Sequence, residues 1–222
     1  MRRSEGDLDI DVKGETLTLL PERAALWHSE GALLIADPHW GKAATFRAGG
    51  IPVPSGTTIE AIERLESLVS RTHARRVIFL GDLLHAKPGR SREMFGALEQ
   101  WRSGHADLDV ILVRGNHDRR AGDPPPELCF DCVDAPHLML PFVLAHHPST
   151  HPDGYVLSGH VHPGIRLYGP ARQRDRLPCF VFANDFAILP AFGDFTGLGD
   201  VEPSPGDRIY AVADNQVIDI SS

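Results

Sequence analysis

Among its 222 residues the chain has no long hydrophobic run. No stretch approaches the roughly 18 apolar residues of a membrane-crossing helix. The charged start, Met1-Arg2-Arg3-Ser4-Glu5-Gly6-Asp7, is not followed by the apolar core of a signal peptide, so a cytoplasmic protein with no membrane association is expected. Cysteine is scarce: three residues, an odd number, argue against a disulfide framework and for a reducing compartment. Cys129 and Cys132 form a C-x-x-C, but without a second pair they read as two ordinary reduced thiols. Positive charge is short as well, with 22 Lys and Arg against 30 Asp and Glu and a formal net charge of −8. That excludes a protein that coats nucleic acid by charge alone and leaves room only for a locally basic groove. No internal repeat or low-complexity tract is visible. With 42% hydrophobic residues a sizeable core can form, and a single domain spanning residues 1–222 is expected.

What the chain does have is histidine, twelve in all, several of them just after short apolar runs. Thr16–Leu20 and Ala24–Trp27 flank the turn Pro21-Glu22-Arg23 and read as a hairpin of edge strands. Ala32–Ala36 is a continuous apolar run of strand length that ends on Asp37-Pro38-His39. After the loop marked by Pro52, Pro54, Ser55 and Gly56, Thr57 or Thr58 can cap a helix with apolar residues at Ile59, Ile62, Leu65, Leu68 and Val69. The strand Val77–Leu80 ends on Gly81-Asp82, a helix runs from about Ser91 to Trp101, and the strand Val110–Val113 leads into Arg114-Gly115-Asn116-His117-Asp118. This alternation predicts an α/β fold with parallel strands and ligands at their carboxyl ends. Beyond Pro124-Pro125-Pro126 the helical period stops, and short strand-like runs predict a second, largely antiparallel sheet packed on the first.

The residues just after the predicted strands are Asp37 and His39; Asp82; Asn116, His117 and Asp118; His146 and His147; His160 and His162. Any one histidine is more often a partly buried polar residue than a ligand. Five such endings in one chain point instead to a divalent metal site, and carboxylates, an amide oxygen and imidazoles without thiolates suit Mn²⁺, Fe or Zn²⁺. Asp37 and His39, like His160 and His162, are two apart, so in extended segments each pair shares a face. Gly81, Gly115 and Gly159, each directly before a motif residue, are read as sharp turns.

In order, DPH, GD, GNHD, HH and GHVH over residues 37–162 resemble the calcineurin-like metallophosphoesterases. The resemblance implies a four-layer α/β/β/α sandwich of two mixed sheets flanked by helices, with two divalent metals, Mn²⁺ first among them. It assigns Asp37, His39, Asp82 and His162 to one metal, and Asp82, Asn116, His146 and His160 to the other. His117 would give a proton to the leaving oxygen or contact the scissile phosphate, and Asp118 would orient its ring. Either His146 or His147 could be the ligand; His146 is chosen because it directly ends its strand, leaving His147 to support the ligands from behind or to contact substrate.

Two further stretches, Ala36–Thr57 and Gly81–Gly89, resemble the bacterial subgroup of ligase-associated DNA damage response endonucleases, the PdeM subgroup. That implies phosphodiester hydrolysis in DNA beside a ligase, a helicase and an exonuclease. Lys42, Arg47, His85, Arg114, Arg119 and Arg120, with Arg172, Arg174 and Arg176 further on, are candidate substrate contacts; each taken singly is equally well a solvated surface group. The −8 charge keeps a small-molecule (nucleotide or cyclic nucleotide) phosphodiesterase or phosphatase in view, and a non-catalytic interaction scaffold is the third reading.

Overall fold

The computed structural model describes residues 4–53, 56–168 and 174–221. Its first sheet holds β1 (Leu8–Val12), β2 (Glu15–Leu20), β3 (Ala24–Trp27), β4 (Ala32–Ile35), β5 (Arg76–Phe79), β6 (Asp109–Val113) and β7 (Asp131–Val133), side by side in chain order. The first four are antiparallel neighbours; β4 to β7 run parallel. Between the parallel strands lie α1 (Lys42–Ala48), α2 (Thr57–Thr72), α3 (Arg92–Gly104) and α4 (Asn116–Ala121).

Strand alternation sorts the core into two layers. From β4, Leu33 and Ile35 join Val77, Phe79, Val110 and Leu112 under the apolar stripes of α2 (Ala61, Ile62, Leu65, Leu68, Val69) and α3 (Met94, Leu98, Trp101). Leu34, Ile78 and Ile111 point the other way, against Phe142, Leu144, Leu157, Phe180 and Phe182 of the second sheet. Trp27 packs edge-on to Phe142 at 4.8 Å in the same layer.

The second sheet is built from β8 (His137–Met139), β9 (Phe142–Leu144), β10 (Tyr155–Ser158), β11 (Pro163–Tyr168), β12 (Arg174–Phe182), β13 (Phe186–Ile188), β14 (Gly199–Asp200), β15 (Arg208–Ala213) and β16 (Gln216–Asp219). It is mixed rather than largely antiparallel: β9, β10 and β13 are parallel neighbours, so the ends of β9 and β10 open on the same side. The α/β class and the two mixed sheets match expectation. Helical cover is one-sided among the described residues, since no helix follows Leu128; Cys179, Val181, Ile188 and Ile209 on the far face pack against Val161, Ile165, Val201 and Ile220 from strands and loops.

Three local expectations change. The N-terminal hairpin is not at the edge, because β1, masked in sequence by its aspartates, pairs with β2 and takes the outer position. Gly56 rather than a threonine hydroxyl precedes α2, while Thr58 Oγ1 accepts the Gly41 N–H at 3.2 Å. At α3 Ser91 does cap, its hydroxyl accepting the Met94 N–H at 3.1 Å. All three cysteines are free, and burial raises the thiol pKa of Cys132 to about 11 and of Cys179 to about 12.

On the first sheet's flank, Arg71 of α2 binds two carboxylates. Its Nη1 donates to both oxygens of Asp7 at 3.0 and 2.7 Å, and its Nη2 to both oxygens of Glu22 at 2.9 and 2.8 Å. No helix among the described residues is long and apolar enough to cross a membrane.

Candidate metal centre

The parallel strands β4, β5, β6, β9 and β10 deliver their carboxyl ends to one place, and the five motifs meet there. Asp37, His39, Asp82 and His146 are buried, whereas His160 and His147 are exposed, so the cluster is closed on one side and open on the other. Ligand atoms of Asp37, His39 and His162 lie within 4.8 Å of one another, as do those of His146, His147 and His160, and those of Asp37, Asp82 and His146. Asp82 stands between the groups: Oδ1 is 3.4 Å from His146 Nε2, and Oδ2 is 3.8 Å from His39 Nε2.

The donor set fits cations. His39 Nε2 and His162 Nε2 face each other at 3.1 Å, and His146 Nε2 lies 3.0 Å from both Asn116 Oδ1 and His160 Nδ1. Asp37 Oδ1 is buried without a hydrogen-bond partner, 3.6 Å from His162 Nε2 and 3.7 Å from His146 Nδ1. An unpaired buried carboxylate oxygen among imidazole nitrogens is costly unless a positive charge completes it. Burial lowers the His39 pKa to about 2, which keeps its lone pair available. Burial pushes Asp82 upward, but the hydrogen bond and charge of His146 outweigh this and carry Asp82 down to about 2, leaving it ionised.

The backbone reaches the cluster in an unexpected way. Asp37, His39, Asp82, His160 and His162 all have positive φ, between 47° and 69°, so neither two-residue pair is extended. The left-handed steps, uncommon for residues with a Cβ, splay His160 and His162 into different groups instead of one face. The glycines act mainly by lacking a side chain. A methyl at Gly81 would overlap the His146 ring, at Gly115 the Asp82 carboxylate, and at Gly159 the Asp37 carboxylate. Only Gly81, at φ 84°, also needs left-handed freedom; Gly115, at φ −89°, does not.

His117 stands at the open side. Its backbone N–H donates to Asp82 Oδ1 at 2.8 Å, and its ring Nδ1–H to the His85 carbonyl at 2.7 Å. Nε2, 3.9 Å from Asp82 Oδ2, is thereby left for other partners. The expected contact between Asp118 and this ring is replaced: buried Asp118 accepts the Leu84 N–H at 3.0 Å and the Gly115 N–H at 2.9 Å. Asp118 therefore ties the start of α4 to the loop after β5, and the His85 carbonyl orients the ring. Of the two adjacent histidines, His146 is buried, its Nδ1 3.0 Å from the Leu80 carbonyl, while His147 is exposed, its ring 4.0 Å from that of His160 and its ligand atom in the same group.

The substrate-contact candidates divide. His85 stacks on His117 at 4.7 Å and approaches His39 Nδ1 at 3.4 Å; burial, then the neighbouring His117, lower its pKa to about 4. Lys42, half-buried at the start of α1, has its pKa lowered, burial outweighing the opposing pull of Asp37 and Asp82. Arg47 is exposed, its guanidinium 3.4 Å from the Val53 carbonyl. Arg114 binds both oxygens of Asp123 at 2.8 and 2.7 Å, and Arg119 pairs with Asp134 at 3.0 Å. Arg120 is exposed; Arg176 pairs with Asp200 at 2.8 Å; Arg172 and the Arg174 side chain lie outside the described residues. One contributing segment went unread in the sequence, the loop after β13. Gly193 N–H donates to the Asp37 carbonyl at 3.2 Å, and His162 Nδ1 lies 3.2 Å from the Gly197 carbonyl. Its signal was another apolar strand ending, Ile188-Leu189, that carries no metal-binding residue type.

No protein-family model and no curated protein matches the chain. Among solved structures it is similar to the Pseudomonas putida nuclease MPE, with 40% identity over 96% of this chain and 100% of that one, at a TM-score of 0.84. The Escherichia coli phosphoesterase YfcE is also found, at 15% identity over 84% of this chain and 96% of that one, with a TM-score of 0.41. Five ordered motifs converging on one donor cluster, and that 40% identity across nearly the whole chain, make it a member of the calcineurin-like metallophosphoesterase superfamily, hydrolases acting on phosphoester bonds.

Proposed function

We propose that the protein is a two-metal nuclease that hydrolyses phosphodiester bonds in DNA. The observation that carries the reading is the Asp37 carboxylate oxygen, buried and unpaired amid the nitrogens of His39, His146 and His162, in a chain 40% identical to a nuclease. Asp37, His39, Asp82 and His162 would hold one ion; Asp82, Asn116, His146 and His160 the other. Two divalent ions, Mn²⁺ being the proposed choice, supply a nucleophilic water near neutral pH and neutralise charge on the phosphoryl oxygens.

The chain's own residues do the rest. Neutral His39 and ionised Asp82 present lone pairs without first losing a proton. His117, clamped through Nδ1–H, keeps Nε2 on the open side, where the ring protonated on both nitrogens gives its Nε2 proton to the departing oxygen and returns to the neutral Nδ1–H form. The His85 carbonyl positions that ring, and Asp118 fixes the start of the helix that carries it. Resemblance to the ligase-associated endonucleases supports a cytoplasmic role in DNA repair beside a ligase, a helicase and an exonuclease.

A small-molecule phosphodiesterase is the second reading. It is favoured by the engagement of Arg114 and Arg119 with Asp123 and Asp134, which removes the basic track that would follow a DNA backbone. The deciding assay uses purified protein with Mn²⁺ on bis-p-nitrophenyl phosphate and on single-stranded, double-stranded and flapped DNA. Cleavage of DNA supports the nuclease; hydrolysis confined to the small ester supports the second reading; no hydrolysis of any of them with metal bound removes the enzyme.

A further inference from the structure

Beside the metal cluster a short run of rings leads outward. His117 stacks on His85 at 4.7 Å with an interplanar angle of 21°; His85 lies 6.0 Å from Phe46; Phe46 meets Phe195 edge to face at 5.8 Å. The inner rings are partly covered, but Phe195 is 39% exposed, one of few large apolar side chains so placed. An exposed phenylalanine at the mouth of a polar site contributes nothing to the core.

Phe195 is also firmly presented. It sits in the loop after β13, where the preceding Asp194 pairs with Arg23 at 2.9 Å and with Arg64 at 2.7 Å. On its other side Thr196 Oγ1 donates to the Gly193 carbonyl at 2.9 Å. Gly193 and Phe192 hydrogen-bond to the backbone of Asp37 and Ala36, so the loop is tied to the strand end that carries the first metal motif. A loop pinned to the reacting centre at one point and to two arginines at another holds its ring in place before any ligand arrives, which reduces the ordering cost of binding.

We propose that Phe195, backed by Phe46, is a stacking platform for a nucleobase flanking the scissile phosphodiester. The inference rests on the nucleic-acid reading given above. The edge-to-face contact between the two phenylalanines engages one face of one ring, and with Phe195 39% exposed this leaves ring surface for an unpaired base. Such stacking tolerates any sequence, because every base has a π-face. It also suits a protein of net charge −8, in which backbone attraction is a weak source of grip.

The test compares an oligothymidylate with an abasic strand of the same length, with Mn²⁺, for wild type, Phe195→Ala and Phe195→Trp. Stacking remote from the reacting atoms is uniform binding, so Phe195→Ala is expected to raise KM for oligothymidylate roughly tenfold with little change in kcat. KM for the abasic strand should stay at the wild-type value, and Phe195→Trp should retain tight binding of oligothymidylate. Equal behaviour of Phe195→Ala and wild type on oligothymidylate overturns the platform, as does an equal loss on both strands, which would mark a purely structural role. A wild-type enzyme that hydrolyses bis-p-nitrophenyl phosphate but cleaves none of the single-stranded, double-stranded and flapped DNAs overturns the nucleic-acid reading, and the platform with it; cleavage of duplex DNA without cleavage of oligothymidylate overturns the platform alone.

Discussion

Acidic side chains stand beside basic ones at Arg71 and at the strand ends, and the molecule treats the two groups differently. At Arg71 each oxygen of Asp7 and Glu22 meets a guanidinium nitrogen within 3.0 Å, so the charges are matched by the chain itself. In the cluster at the strand ends, imidazole nitrogens face one another at 3.0–3.1 Å and Asp37 Oδ1 has no partner. Arg71 Nε is also buried without a partner, so the difference lies in the carboxylates: all four oxygens are met by the chain in the first arrangement, and Asp37 Oδ1 is left for something added in the second. Residue types alone would not separate them, whereas the count of satisfied carboxylate oxygens does.

Substitutions can sharpen that contrast. The largest effect is expected for Asp82→Ala, which removes the carboxylate lying between both ligand groups: elemental analysis should show loss of bound metal, and turnover should vanish. Next, His117→Ala should keep metal stoichiometry while kcat falls by roughly 10²–10⁴; loss of a metal would make His117 a ligand and reverse its assignment. Arg71→Ala addresses the matched site. Leaving the Asp7 carboxylate, fully covered in the fold, without its cation should cost about 3 kcal/mol in urea unfolding, with hydrolysis per folded molecule unchanged. A change in metal affinity there would erase the distinction between the two clusters. The smallest effect is expected for Arg114→Ala. Its ion pair with Asp123 is partly exposed, so stability should fall by less than about 1 kcal/mol and cleavage of DNA should hold. A large rise in KM for DNA, but not for a small phosphodiester, would show that Arg114 leaves Asp123 to bind substrate.

Much of the site was legible because its residues follow apolar strand runs directly, and parallel strands must bring their carboxyl ends together. Asp37, Asp82 and His146 needed only that rule. The internal pairing of Arg114 and Arg119 was hidden, since Asp123 lies beyond α4 and Asp134 beyond the proline run and β7, along paths no local pattern reveals. The support of His117 was hidden for another reason: it comes from the His85 carbonyl, and a backbone oxygen leaves no mark on sequence. The left-handed steps at Asp37 and His160 run against residue preference, so local propensity pointed away from them. β1 went unread because aspartates at Asp9 and Asp11 look unlike a strand, although both sit on its exposed alternate positions.

The close approach of Gly81, Gly115 and Gly159 to His146, Asp82 and Asp37 carries a consequence for genetics. A survey of random inactivating substitutions would recover these three positions alongside the histidines, though none has a functional group to lose. Any added carbon there displaces a donor atom, so this enzyme's vulnerability extends one layer of backbone beyond its chemistry.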